Sequence, residues 1–250
     1  MRCDRAPLRK PRHRETGRSI ATAAGPAILV FVLTIIAMLA GDTVQAAAGR
    51  RVSIRAEDGA ILAAAYYEPP GRPAPGILLL PMHRRSHTDW DAAAEQLSDA
   101  GFAVLALDFR GTEEFAALSA DVRAAKAFLR ERPEVAPANL GIAGASIGAN
   151  LALIDASNDP AVRSVALLSP GVDYRGLRTE APMRKYAGRP ALLVGSTRDP
   201  YVRRSIRHLS GIGTGAREVR LTDAVAHGTI LLARDQELIG ALVDWFKRTL

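Results

Sequence analysis

Cysteine is nearly absent from this chain: of 250 residues only Cys3 carries a thiol. A disulfide framework, a cysteine nucleophile and a cysteine-ligated metal are thereby excluded from the body of the protein. Aromatic side chains are scarce as well, at 5% of residues, which leaves little from which to build a stacking platform for sugar rings. There is no internal repeat, and no low-complexity tract beyond the N-terminal region, so repeat architectures do not apply. Acidic side chains are outnumbered, giving a formal net charge of +7. Much of that excess sits in Arg2, Arg5, Arg9, Lys10, Arg12, Arg14 and Arg18, against only Asp4 and Glu15. The rest is mildly basic with signs interspersed, which argues against a nucleic-acid partner.

What is present at the N-terminus is a leader. After the basic segment no charge occurs from Ser19 to Gly41, and Ala27 to Ala40 is strongly apolar. Val44-Gln45-Ala46 and Ala46-Ala47-Ala48 both fit the small-x-small pattern of signal peptidase sites. Residues 1–48 therefore read as a signal peptide cut near Ala46 to Ala48, or as an uncleaved anchor through residues 20–41. Either way, positive charge stays inside and the domain at 49–250 is exported, to the periplasm or the extracellular space. Contact with a membrane is expected only through that N-terminal segment.

The exported part alternates strand and helix patterns. Arg51–Ala56 and Ala60–Tyr67 flank Glu57-Asp58-Gly59 and read as a hairpin. Glu68 to Gly76 is too rich in proline for a central strand. Ile77–Leu80, Phe102–Leu107, Leu140–Ala143, Val165–Leu168 and Ala191–Gly195 are continuous apolar runs, as strands covered on both faces should be. Between them, Thr88–Ala100 places Trp90, Ala93, Leu97 and Ala100 on one helical face, and Glu114–Glu131 does the same with Phe115, Leu118, Val122, Ala125 and Leu129. Ser169–Pro190 reads as polar and irregular, a lid or cap over a pocket. A helix at Pro200–Leu209, with Arg203, Arg204 and Arg207 facing solvent, precedes a short strand at Glu218–Leu221. A single helix then runs from Thr229 to the C-terminus, burying Ile230, Leu231, Leu238, Leu242 and Trp245. Alternation of this kind predicts an α/β fold with a mainly parallel sheet and helices on both faces.

The informative stretch is Gly144-Ala145-Ser146-Ile147-Gly148, which follows an apolar strand and opens a helix at Ala149. Strand, Gly-x-Ser-x-Gly and helix describe a nucleophile elbow: the serine stands on a sharp turn, and its neighbours two before and two after must be small. A serine hydroxyl becomes a nucleophile when an imidazole, oriented by a carboxylate, takes its proton. His227 lies between the last strand and the last helix, and Asp199 follows the strand ending at Gly195. Both loops are at carboxyl ends of strands, where open α/β sheets meet ligands. Asp173 also follows a strand and is an alternative acid, while Asp223 is placed to brace the histidine loop. His83-x-x-x-His87 has metal-ligand spacing, with only Asp89 and Asp91 nearby to complete a site.

From about Val52 to Leu250 the chain resembles the α/β-hydrolase superfamily, closest to its compact dienelactone-hydrolase and acyl-peptidase-like serine hydrolase branch. The motifs that carry the resemblance are Gly144-x-Ser146-x-Gly148, Ser196-Thr197-Arg198-Asp199-Pro200, Ala226-His227-Gly228 and the turn Asp108-Phe109-Arg110-Gly111. The resemblance implies an α/β-hydrolase fold with a small or minimal cap. It implies Ser146 as nucleophile, His227 as general base and then acid, and Asp199 as the residue that fixes its tautomer. It also implies oxyanion donors in the backbone N–H groups of Ile147 and Met82. Three departures stand out. Pro81-Met82-His83-Arg84 replaces the His-Gly many relatives carry there. Thr112-Glu113-Glu114 replaces a small, glycine-rich turn. Serine rather than cysteine occupies the elbow.

The expectation is an exported serine hydrolase that cleaves a carboxylic ester of a small-molecule substrate, with no cofactor and no metal. A peptidase or acyltransferase would use the same triad, and a non-catalytic binding domain could share the scaffold.

Overall fold

A computed structural model of the protein describes residues 49–250. The leader expected over residues 1–48 lies outside the described residues, and among the described residues no helix is long and apolar enough to cross a membrane.

The strands are β1 (Arg50–Arg55), β2 (Ile61–Tyr67), β3 (Ala74–Leu80), β4 (Ala103–Leu107), β5 (Val135–Ala145), β6 (Val162–Leu168), β7 (Asp173–Tyr174), β8 (Leu177–Arg178), β9 (Ala191–Ser196) and β10 (Arg217–Thr222). The helices are α1 (Asp91–Asp99, entered through a 3-10 turn at His87–Trp90), α2 (Phe115–Arg130), α3 (Ile147–Asn158), α4 (Glu180–Tyr186), α5 (Pro200–Ser210), α6 (Ile230–Arg234) and α7 (Glu237–Thr249). Eight strands form one sheet in the order β1-β2-β4-β3-β5-β6-β9-β10. The hairpin β1–β2 joins antiparallel, and everything from β4 to β10 is parallel.

The apolar runs are continuous because the central strands are covered twice. Leu78 and Leu80 of β3 face one layer, with Leu118 and Val122 of α2, Leu151 and Leu153 of α3, Met183 of α4 and Ile206 of α5. Ile77 and Leu79 face the other, with Trp90, Leu97 of α1, Leu231 of α6, and Leu242 and Trp245 of α7. Helix α3 sits in the middle and is buried on nearly every side, so no polar stripe marks it in the sequence.

Two expectations need correction. The 169–190 stretch is not irregular. It folds into the small β7–β8 hairpin and α4, whose Met183 and Tyr186 are fully buried. Buried Asn150 of α3 ties it down, accepting from the Gly171 amide (3.0 Å) and donating to the Leu177 carbonyl (3.2 Å). The C-terminal helix is also not continuous. Asp235 is extended, its amide closes α6 on the Leu231 carbonyl, and its own carbonyl accepts from Leu238 at the start of α7. Ile230 is consequently 39% exposed rather than buried.

Helix α3 is clamped to α2 through Lys126, whose Nζ lies 2.6 Å from Asp155 and 2.8 Å from Asp159 with only 10% of its side chain exposed. Lys126→Ala would leave Asp155 without its cation, beside an Asp159 held only by Arg130 (3.2 Å). It is expected to cost about 3 kcal/mol, read as a lower urea midpoint at unchanged slope. A midpoint equal to wild type would show that the clamp contributes nothing.

Candidate active site

The elbow is built by close approach. Ser146 has φ 53° and ψ −116°, a conformation that L-residues adopt only under constraint. The Ser146 amide is held by the Leu168 carbonyl at 2.8 Å, and the Ser146 carbonyl accepts from Ala149 and Asn150. A Cβ at Gly144 would overlap the Gly148 carbonyl, and one at Gly148 would overlap the carbonyls of Leu80 and Pro81. Those two overlaps are the physical reason for glycine at both positions. The second shows that the chain leaving β3 passes directly over the start of α3.

That crossing brings Met82 beside Ile147. Among the described residues, neither backbone N–H donates to a protein acceptor, and both residues line one cavity. The amides predicted to form an oxyanion hole are thus free, at the start of a helix whose dipole favours negative charge.

The structure brings Ser146, Asp199 and His227 together. His227 Nε2 is 2.9 Å from Ser146 Oγ, and His227 Nδ1 is 3.0 Å from Asp199 Oδ2. With the Nδ1 proton directed at the carboxylate, Nε2 is left as an acceptor for the serine hydroxyl. Asp199 also caps α5. Its Oδ1 accepts from the Val202 amide at 3.0 Å, with Pro200 in the first turn. Burial pushes the Asp199 carboxyl up, but the Val202 amide and then the His227 ring outweigh it, so its pKa lies below the ordinary value.

The histidine loop is pinned on both sides of His227 by contacts that the sequence did not reveal. The Gly228 amide donates to Ser169 Oγ (2.9 Å), and Ser169 itself is buried with φ 53°. Thr229 Oγ1 donates to Asp89 Oδ2 (2.7 Å), and Asp89 is held by Arg85. Ser196 Oγ donates to the Ala224 carbonyl, joining the acid loop to the histidine loop. Partners 59 and 140 residues apart leave no local signal. Asp223 takes the Thr197 hydroxyl at 2.6 Å and braces the loop.

The alternative residues are placed elsewhere. Asp173 accepts from the Gly176 amide and from Arg178, inside the β7–β8 hairpin, and makes no bond to His227. His87 bonds Asp108 through both its ring and its amide, whereas His83 faces Glu113 at 3.6 Å. The two histidines are thus committed to different carboxylates, and among the described residues no group of three or more His, Cys, Asp or Glu side chains could hold a metal ion. The Asp108–Gly111 turn is anchored at Asp108 by His87 and at Arg110 by buried Asp121 and by Asp58.

No family model matches the chain, and no curated protein does. Solved structures do. The chain is similar to a dienelactone hydrolase from Anabaena variabilis (19% identity, TM-score 0.70, covering 81% of this chain and 98% of that one). It is similar to the esterase Pf2001 from Pyrococcus furiosus (18%, TM-score 0.66, covering 80% and 92%). A third similar structure is EstE1, a thermophilic carboxylesterase cloned from a metagenomic library (20%, TM-score 0.68, covering 92% and 99%). At such identities the likeness establishes the fold, and the described domain has the α/β-hydrolase fold.

The lowered pKa of Asp199 carries a sign. A carboxyl depressed in the folded state contributes stability that is fully present above its unfolded value of about 3.9, and loses it as pH falls through the lower folded value. The gap in unfolding free energy between wild type and Asp199→Asn should therefore be constant near neutrality and shrink as pH drops below about 4. A gap that stays constant through the acid range in urea titrations would contradict this.

Proposed function

We propose that this domain is a serine hydrolase that cleaves carboxylic esters through an acyl-enzyme. The single observation that carries the reading is the unbroken chain Ser146 Oγ···His227 Nε2, His227 Nδ1···Asp199 Oδ2, at 2.9 and 3.0 Å. Ser146 Oγ attacks the ester carbonyl carbon while His227 Nε2 takes its proton. The carbonyl oxygen becomes an oxyanion facing the free Ile147 and Met82 amides, an arrangement of preorganised donors in which each is worth about 3 kcal/mol. His227 then returns the proton to the leaving alcohol, and the acyl group stays on Ser146. Water, deprotonated by the same ring, releases the acid. Asp199 keeps the imidazole in the tautomer that can accept from the serine and stabilises the imidazolium that forms. No step calls for a metal or an organic cofactor.

The similar structures, a dienelactone hydrolase and two esterases, agree with ester chemistry. A small-molecule ester is the partner this site suits. The place of action is read from the sequence: the basic segment, the apolar run and the small-x-small sites of residues 1–48 support export, with the domain released or held at the membrane by residues 20–41.

Ser146→Ala is expected to lower kcat/KM towards p-nitrophenyl esters by on the order of 10⁴-fold or more while leaving the melting temperature close to wild type. A fluorophosphonate should add once to the wild-type chain, at Ser146, and not to the variant. Near-normal turnover by Ser146→Ala would sink the reading.

A further inference from the structure

The edge of a sheet presents unpaired backbone to other chains, and native sheets blunt it with like charge, proline, a bulge or a covering segment. The two edges of this sheet differ in that respect. Strand β1 carries Arg50, Arg51 and Arg55 and no acid, so a second copy of it would be repelled. Strand β10, at the other edge, reads Arg-Glu-Val-Arg-Leu-Thr. Its charges are mixed, it has no proline, and its register with β9 runs from Arg217 to Thr222 without a bulge. Val219 and Leu221 on it are 39% and 45% exposed.

The backbone of β10 fixes what it can pair with. The carbonyls of Ala216 and Thr222 accept from Ala191 and Thr197, on the β9 side. Direction alternates along a strand, so Glu218 and Arg220 face β9 as well. Arg217, Val219 and Leu221 therefore turn their N–H and C=O groups outwards, and among the described residues these groups have no backbone partner.

A second copy of β10 laid antiparallel can satisfy all of them in one register. Outward residues must meet outward residues, so the two-fold axis passes through a residue. An axis at Glu218 or at Arg220 sets that charge against its own copy, which is destabilising. An axis at Val219 sets Glu218 opposite Arg220 of the second copy, and Arg220 opposite its Glu218. Val219 then exchanges both backbone bonds with its own copy, and Arg217 exchanges them with Leu221. The Arg217 guanidinium is drawn back onto the carbonyls of Ala187 and Arg189, so its aliphatic stem is what lies opposite Leu221.

The strands alone make a narrow contact, but an open groove of about 730 Å³ runs beside them, with Leu238, Gly240, Ala241 and Asp244 of α7 along it. It is on the face to which Glu218 points, since Arg248 of α7 donates to Glu218 at 2.9 Å. With the axis normal to the sheet, this groove and its copy lie side by side. The small residues Gly240 and Ala241 let the two α7 helices approach, which widens the contact towards the roughly 1,200 Å² of a stable interface.

We propose that the chain forms a two-fold dimer through β10, joining two sheets into one, with Val219 on the axis and a Glu218–Arg220 pair on either side of it. Sedimentation velocity of the purified full chain in a density-matched detergent tests this, with the chain mass taken from mass spectrometry of the same preparation. Wild type should sediment as two chains at micromolar concentration. Arg220→Glu places Glu opposite Glu twice and should raise the dissociation constant at least about tenfold; adding Glu218→Arg should restore it. Val219→Pro removes an outward N–H while leaving the bonds to β9 in place, and should give a monomer. If that variant lacks a cooperative melt, the charge reversal and its rescue decide. A wild-type monomer would overturn the inference. So would a dimer indifferent to the folded variants, a charge swap that fails to restore association, or a mass that fits one chain bound to a different polypeptide.

Discussion

The structure depends on one steric constraint, the close passage of three backbone segments at Ser146. Strand β5 ends, α3 begins, and the chain leaving β3 crosses above them, with no room for a Cβ at Gly144 or Gly148. The crossing holds the serine in a conformation it would not adopt alone, and it is secured by hydrogen bonds to the Ser146 amide and carbonyl. It also sets Met82 against the start of α3, so the two free amides come from segments more than sixty residues apart in sequence. The buried α3 is the rigid element behind all this, fastened to α2 by Lys126 and to the 169–190 stretch by Asn150.

The histidine has to be delivered to that point by a loop, and loops are inherently mobile. Here its freedom is removed by hydroxyls with low exposure: Ser169 on the Gly228 amide, Thr229 on Asp89, and Ser196 on the Ala224 carbonyl. Gly228 itself has φ 60°, and a Cβ there would overlap Met82 Sδ. The histidine loop and the loop after β3 are therefore packed against each other, so that a shift of one presses on the other. Asp199 is anchored differently, as the N-cap of α5, which lets one carboxylate serve the helix and the imidazole together.

Much of the fold was legible because its signals are local. Apolar runs with no alternation mark strands covered on both faces, and apolar residues at helical spacing mark α1 and α2. The elbow was legible for the same reason, since the need for small residues acts over only five positions. The misreadings arose where local polarity was misleading. Segment 169–190 looks polar and irregular, yet Met183, Tyr186 and Thr179 are buried beneath its charged side chains. The helix from Thr229 looked continuous because nothing in the run Arg234-Asp235-Gln236 forbids a helix. The break is the extended backbone of Asp235 (φ −140°, ψ 92°), after which the Leu238 amide turns back onto the Asp235 carbonyl.

The sequence by itself determined the alternation of strands and helices, the serine turn and the order serine, acid, histidine, because each follows from spacing and sterics within a few residues. Spacing alone left Asp173 as an alternative to Asp199 for the acid, since both follow strands and a carboxylate carries no mark of its partner. Tertiary structure decided that choice, by turning Asp173 into a hairpin while leaving Asp199 facing His227. It also decided the pins of the histidine loop and the clasp of Glu113 on Arg175. These are pairings between residues dozens of positions apart, brought within hydrogen-bond reach only when the sheet assembles.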